Sequence, residues 1–128
     1  MSDSRKEARR RRGRKSAARG VGAETRASAA LEADGWVVRA RRTRTAAGEI
    51  DIVAEKEGML AFVEVKARPG LAEAAAALSP RQKARLLRAA EIVLAAHPEW
   101  GRQGVRFDVI VVDAEGEVRR ISDAFREE

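Results

Sequence analysis

Two carboxylates and a lysine stand at spacings that could serve phosphodiester chemistry. Asp51 lies in Gly48-Glu49-Ile50-Asp51-Ile52-Val53, and Glu64 and Lys66 lie in Phe62-Val63-Glu64-Val65-Lys66. Breaking a phosphodiester calls for a hard cation at the phosphate, a placed water, and positive charge to meet the negative charge that builds on the phosphorus centre. Hard cations take oxygen ligands, and Mg²⁺ keeps several waters around one or two carboxylates. Asp51 and Glu64 would supply two ligands and the Val65 carbonyl a third. Lys66 could place the water or meet the developing charge. Glu24, on a preceding helix, could add an outer ligand.

The pattern brings these groups together only in one register. Both segments alternate apolar and polar residues with a period of two, as half-buried strands do, and Lys56-Glu57-Gly58-Met59 between them reads as a tight turn. With Glu57-Gly58 as a two-residue loop, Lys56 pairs with Met59, Asp51 with Glu64 and Glu49 with Lys66. Opposed residues share a face with Cβ atoms roughly 4.5–5.5 Å apart, and like charges so placed destabilise a sheet. A bound cation or a shared proton would relieve them. A three-residue loop would put the two acids on opposite faces. Alternating Glu and Lys on a strand usually form a solvated face, but Phe62–Lys66 is too apolar for an ordinary edge.

The elements that must position this hairpin follow from local signals. Residues 20–34 read as a helix closed by Gly35. Glu24 falls on the side of Ala27 and Leu31, where an acid is costly unless paired or solvated; the plainer role is a rim position or a salt bridge to Arg26 or to an arginine of the next strand. Trp36–Arg42 reads as a strand that brings Arg39, Arg41, Arg42 and Arg44 beside the acids. These cations could neutralise the acids or hold a phosphodiester against them. Arg68-Pro69-Gly70 ends the hairpin, and residues 71–78 read as a loop or short helix. Ser79-Pro80 opens a firm helix to about Ala96, with Ser79 as N-cap. Leu86, Leu87, Ala90, Val93 and Leu94 form its buried stripe. Arg81, Arg85 and Arg88 form a separate basic stripe that could meet phosphates, although a charge stripe on a helix is usually the solvated face. His97, a lone histidine at the helix end, suits a cap better than a zinc ligand. Val105–Val112 and Glu117–Ile121 complete the order α-β-β-β-α-β-β, and Phe125 is expected to plug the core. The fold class is α/β or α+β: a mixed central sheet flanked by helices, the helix after the third strand carrying a crossover.

Length and charge set limits. The 128 residues make one domain with one modest core. There is no cysteine, hence no disulfide framework and no thiolate metal site. No apolar run approaches the ~18 residues of a membrane span. Residues 1–19 hold nine Lys/Arg against two acids, a net of +7, which leaves −1 of the chain's +6 for residues 20–128. The first 19 residues read as a disordered basic tail, either a phosphate-binding arm or a solvated extension from a start site assigned too early. The tail lacks the apolar core of a secretory signal, so a cytoplasmic location is expected, with no membrane partner.

Together, the Gly48–Val53 and Phe62–Arg68 segments resemble the YraN-like family of small bacterial proteins, itself similar to the PD-(D/E)XK nucleases. The resemblance runs from Gly20 to Phe125 and takes in Gly20-Val21-Gly22-Ala23-Glu24, Ser79-Pro80-Arg81-Gln82-Lys83, Arg106-Phe107-Asp108 and Ala124-Phe125. It implies a restriction-endonuclease-like core similar to Holliday-junction resolvases. Asp51 and Glu64 then match metal ligands for Mg²⁺ or Mn²⁺, Lys66 the catalytic lysine, and Glu24 the acid of the first helix. Gln82 and Lys83 fall where such folds present helix side chains to DNA. The chain departs from the pattern at Ala23, where an aromatic is usual, and at Arg41-Arg42-Thr43-Arg44, where an asparagine–aromatic–arginine stretch is usual; both bear on substrate fit.

The expectation is a metal-dependent nuclease for DNA, branched or damaged DNA included, with RNA as an open alternative substrate. A homodimer would suit resolvase-like work on two strands. The rivals are a nucleic-acid-binding module without turnover, relying on Arg41, Arg42, Arg44 and the tail, and a scaffold for an unrelated partner.

Overall fold

The hairpin is the middle of the structure. In the computed structural model, which describes residues 22–67 and 78–125, strands β2 (Gly48–Lys56) and β3 (Met59–Ala67) pair antiparallel, with Lys56 opposite Met59 and Ile52 opposite Val63. Glu57 and Gly58 turn the chain with φ of 52° and 82°, the left-handed pair that a two-residue hairpin loop uses because its twist matches the strands. The register is the one the alternation predicts.

Strand β1 (Val37–Thr45) pairs with β2. It runs past the expected end at Arg42 and turns through Ala46 and Ala47, where the Thr45 hydroxyl accepts the Ala47 and Gly48 N–H groups, each at 3.1 Å. After β3 the chain reaches helix α2 (Pro80–Ala96) and returns as β4 (Gly104–Val112), parallel to β3. β5 (Val118–Phe125) closes the sheet antiparallel to β4. The spatial order is β1-β2-β3-β4-β5. One parallel pair in an antiparallel meander requires a crossover of a dozen or more residues, and the segment containing α2 supplies it. A first helix, α1, spans residues 22–33 and stops at Gly35, whose φ is +89°. The element order is α-β-β-β-α-β-β, a mixed α+β sheet with two helices.

The two helices cover opposite faces. Ala23, Ala27 and Leu31 of α1 pack with Ile52, Ala54, Ala61, Val63, Ile110 and Val112. Ala89, Ala90 and Val93 of α2 pack with Val53, Leu60, Phe62 and Phe107, and Leu86 with Val109 and Val111. Alternation along β3 and β4 sorts these sets to the two sides, whereas in β2 Ile50 joins Val53 on the α2 side rather than Ile52. Ser79 caps α2 by accepting the Gln82 N–H at 3.1 Å, an interaction worth about 1 kcal/mol. Phe125 stacks on Phe107 with ring centroids 4.8 Å apart, the plug expected of it. His97 takes the C-cap position and stacks on Trp100 at 3.7 Å. No described helix is long and apolar enough to cross a membrane. The basic tail and most of residues 71–78 lie outside the described residues.

Candidate active site

The β2–β3 ladder ends at Ile52 and Val63, and the candidate site begins there. Continuing the register puts Asp51 opposite Glu64. The Asp51 carboxylate reaches across the opening strands, and its Oδ2 accepts the Val65 N–H at 2.8 Å. In an extended strand the N–H and C=O of one residue leave on the same side, so the Val65 carbonyl is also directed toward β2, beyond the end of the ladder.

Lys66 folds back along β3, its Nζ 3.3 Å from Glu64 Oε1, and both side chains are only 12–13% exposed. From α2, Gln82 brings Nε2 to 3.5 Å of the same oxygen. Asp51, Glu64 and Gln82 line a cavity of about 300 Å³ with Gly48, Glu49, Arg85, Leu86 and Ala89. A larger cavity of about 580 Å³ lies elsewhere on α2, lined mainly by apolar groups such as Met59, Leu87, Leu94 and Phe107; it does not contain the carboxylate pair.

The electrostatics mark two acids forced together. Burial raises the Glu64 carboxyl first, the Asp51 charge raises it further, and Lys66 only partly offsets both, leaving it pushed up to about 7. Asp51 is also raised by burial, against the lowering effect of the Val65 N–H. Close acids near neutral pH either share a proton or take a cation.

A divalent cation fits this donor set within limits. Among the described residues no group of three or more His, Cys, Asp and Glu side chains converges. A cation here would rest on Asp51, Glu64 and the Val65 carbonyl and would keep several waters, which suits Mg²⁺ or Mn²⁺ better than a metal needing a full protein cage. The helix acid does not complete the set. Glu24 Oε2 accepts Arg42 Nε at 2.7 Å, the salt bridge to a strand arginine that its position on α1 suggested.

The arginines of β1 stay exposed and pair with the protein's own acids. Arg39 pairs with Glu55 at 2.8 Å, Arg41 with Glu32 at 3.5 Å and Arg44 with Glu49 at 3.5 Å. Lys83 stands with Nζ 5.9 Å from the Phe125 ring centroid, whereas its neighbour Gln82 faces the carboxylates. Arg85, absent from the expected contact set, lines the cavity; the one sequence signal for it is its place in the Arg81–Arg85–Arg88 stripe.

The family model of uncharacterised protein family UPF0102 matches residues 23–112. The chain belongs to UPF0102. A UPF0102 protein of Granulibacter bethesdensis is 64% identical over 115 residues, covering 90% of this chain and 73% of its own. UPF0102 proteins of Azorhizobium caulinodans and Acidiphilium cryptum are 47% and 50% identical, covering 91% and 84% of this chain and 88% and 84% of theirs. The UPF0102 match spans β2, β3 and α2, the three elements that carry the carboxylate cavity.

Proposed function

We propose that this UPF0102 protein is a metal-dependent nuclease that hydrolyses phosphodiesters in DNA. The observation that carries the reading is the half-buried Asp51–Glu64 pair with Lys66 3.3 Å from Glu64. Two adjacent acids weaken the fold unless something cationic joins them, and a purely structural hairpin has no need of them. A bound Mg²⁺ or Mn²⁺ supplies charge to polarise the phosphate and to activate a water.

The chain's own groups do the rest. The Val65 N–H fixes the Asp51 carboxylate, and Gln82 and Lys66 together hold Glu64 Oε1. Lys66 is nearly as sheltered as Glu64, and a cation at low local dielectric stabilises developing negative charge more than it would in water. The restriction-endonuclease-like resemblance of the motif supports this assignment, and branched or damaged DNA are the forms to test first.

One observation favours a second reading, a nucleic-acid-binding module without turnover: Arg42 holds Glu24, leaving two carboxylates rather than three for a metal. Calorimetry with MgCl₂ and MnCl₂ on the wild type, Asp51→Ala and Glu64→Ala separates the readings. It would run beside cleavage assays on duplex, single-stranded and four-way-junction DNA, with RNA oligonucleotides included. The nuclease reading expects metal binding and cleavage lost together in both variants. Absence of metal binding by the wild type near neutral pH refutes it.

A further inference from the structure

The cavity over the carboxylates has one wall that the chemistry above leaves unused. Arg85 lies across Gly48 so closely that a Cβ at Gly48 would meet Arg85 Cγ and Cδ at 3.2 Å. From there it borders the cavity that holds Asp51 and Glu64. Most arginines of the sheet are taken: Arg39, Arg41, Arg42, Arg44, Arg106 and Arg120 each meet a carboxylate, Arg119 of β5 being the exception. Among the described residues no carboxylate pairs with Arg85.

The cavity therefore makes two opposite demands within one small volume. The acids call for a cation, and the guanidinium calls for an anion. A phosphodiester arriving with a divalent cation meets both at once, and a guanidinium fork matches two phosphate oxygens. Arg81 and Arg88 are exposed and stand one turn to either side on α2, about 6 Å and 4.5 Å along the axis.

Resting on the nuclease reading, we propose that Arg85 is the phosphate-binding residue of this site, holding the phosphate beside the carboxylate pair. Arg81 and Arg88 continue the contact to flanking phosphates, so the DNA backbone runs along α2. Gly48 allows this close approach, because a Cβ there would make the Arg85 stem give by a few tenths of an ångström.

The test uses the full chain, fluorescein-labelled duplex and four-way-junction DNA with CaCl₂ at several salt concentrations, and separate MnCl₂ calorimetry. Arg85→Ala should weaken DNA binding about tenfold and flatten the slope of log affinity against log salt by about one. Its Mn²⁺ affinity should stay within about twofold of wild type. Arg85→Lys should keep the slope but recover only part of the affinity. Arg102→Ala removes the same charge from a distant turn and should do neither. The proposal is overturned if Arg85→Ala weakens DNA binding no more than Arg102→Ala does. It is also overturned if Arg85→Ala loses Mn²⁺ as well, which would make Arg85 a support for the acids. A wild type that binds Mn²⁺ but none of the DNA probes removes Arg85's role and leaves the metal site standing. A wild type that binds neither removes the nuclease reading and this proposal with it.

Discussion

Asp51 Oδ2 accepts the Val65 N–H at 2.8 Å, and so a side chain takes over where the backbone ladder between β2 and β3 stops. The bond ties the first acid to the residue after the second, which sets the spacing of the pair. It also separates two effects of mutation. Asp51→Ala leaves the Val65 N–H without that acceptor, a loss of about 1–3 kcal/mol, partly offset by relief of repulsion with Glu64. Asp51→Asn keeps an acceptor oxygen and removes the charge. Urea denaturation in EDTA should therefore rank Asp51→Asn above wild type and Asp51→Ala below it, although both lose Mn²⁺. Equal stabilities for the two variants would show that the bond contributes nothing.

The same pair fixes how stability depends on pH. Glu64 is pushed up to about 7 in the folded chain, by burial first and by Asp51 second, against an ordinary value near 4.5. Below about pH 4.5 both states hold the proton. Between there and about 7 only the folded state does, so each step up in pH weakens the fold, and above 7 the loss is complete. The metal-free protein should lose on the order of 2–3 kcal/mol across this window. Glu64→Gln should flatten that slope, and MnCl₂ should stabilise the wild type most at the upper end. Denaturant midpoints taken from pH 4.5 to 8 in EDTA provide the check. A wild-type curve parallel to that of Glu64→Gln would rule out the elevated carboxyl.

A third acid, Asp108, is buried for a structural reason. Asp108 is 1% exposed. Its Oδ2 accepts Arg120 Nη2 at 2.7 Å, Arg120 Nε at 2.9 Å and Arg106 Nη2 at 3.1 Å, and its Oδ1 accepts the Asp123 N–H at 2.8 Å. Both guanidiniums lie 4.7 Å from the Trp36 ring centroid. Removing the acid strands two arginines, and breaking a buried pair in this way costs about 3–5 kcal/mol. Asp108→Ala should lower the thermal midpoint far more than any variant at the cavity. Its remaining folded fraction should bind Mn²⁺ as wild type does, since the cluster shares no residue with the carboxylate cavity. A midpoint shift no larger than that of Asp51→Ala would contradict the assignment.

These cases show what the chain discloses by itself. The hairpin register was legible because a period of two and a Glu57-Gly58 turn leave few alternatives, and Ser79-Pro80 announced α2 equally plainly. The Ala46-Ala47 turn was not legible, since neither residue is a turn former and the stabilising group is the Thr45 hydroxyl. The last strand was expected to end at Ile121, yet β5 runs on to Phe125, with Asp123 at φ 53° absorbing the irregularity. Asp108 sits among alternating residues like any other polar one, and only the packing of Trp36, Arg106 and Arg120 makes it a hub. For the carboxylates, spacing indicated the pair but not the groups that hold it. Which of many arginines meets which acid depends on tertiary placement, and so Arg42 and Arg85 took roles that their neighbours in sequence did not.

Arg42 provides the last test. Its Nε lies 2.7 Å from Glu24 Oε2, and its charge acts on Glu49 and Asp51 as well. Its φ of 49° is left-handed, where asparagine is more comfortable than a long side chain. Arg42→Asn therefore removes a cation that interacts with Glu49 and Asp51 without straining the backbone, and it releases Glu24. Both changes make the surroundings of Asp51 more negative. Mn²⁺ affinity should rise about three- to tenfold at low salt, with the gain shrinking as ionic strength rises. Glu24→Gln in the Arg42→Asn background should return part of that gain. Calorimetry on the single and double variants decides it: unchanged affinity in Arg42→Asn would mean that the Glu24–Arg42 pair only braces α1 against β1 and has no bearing on the metal.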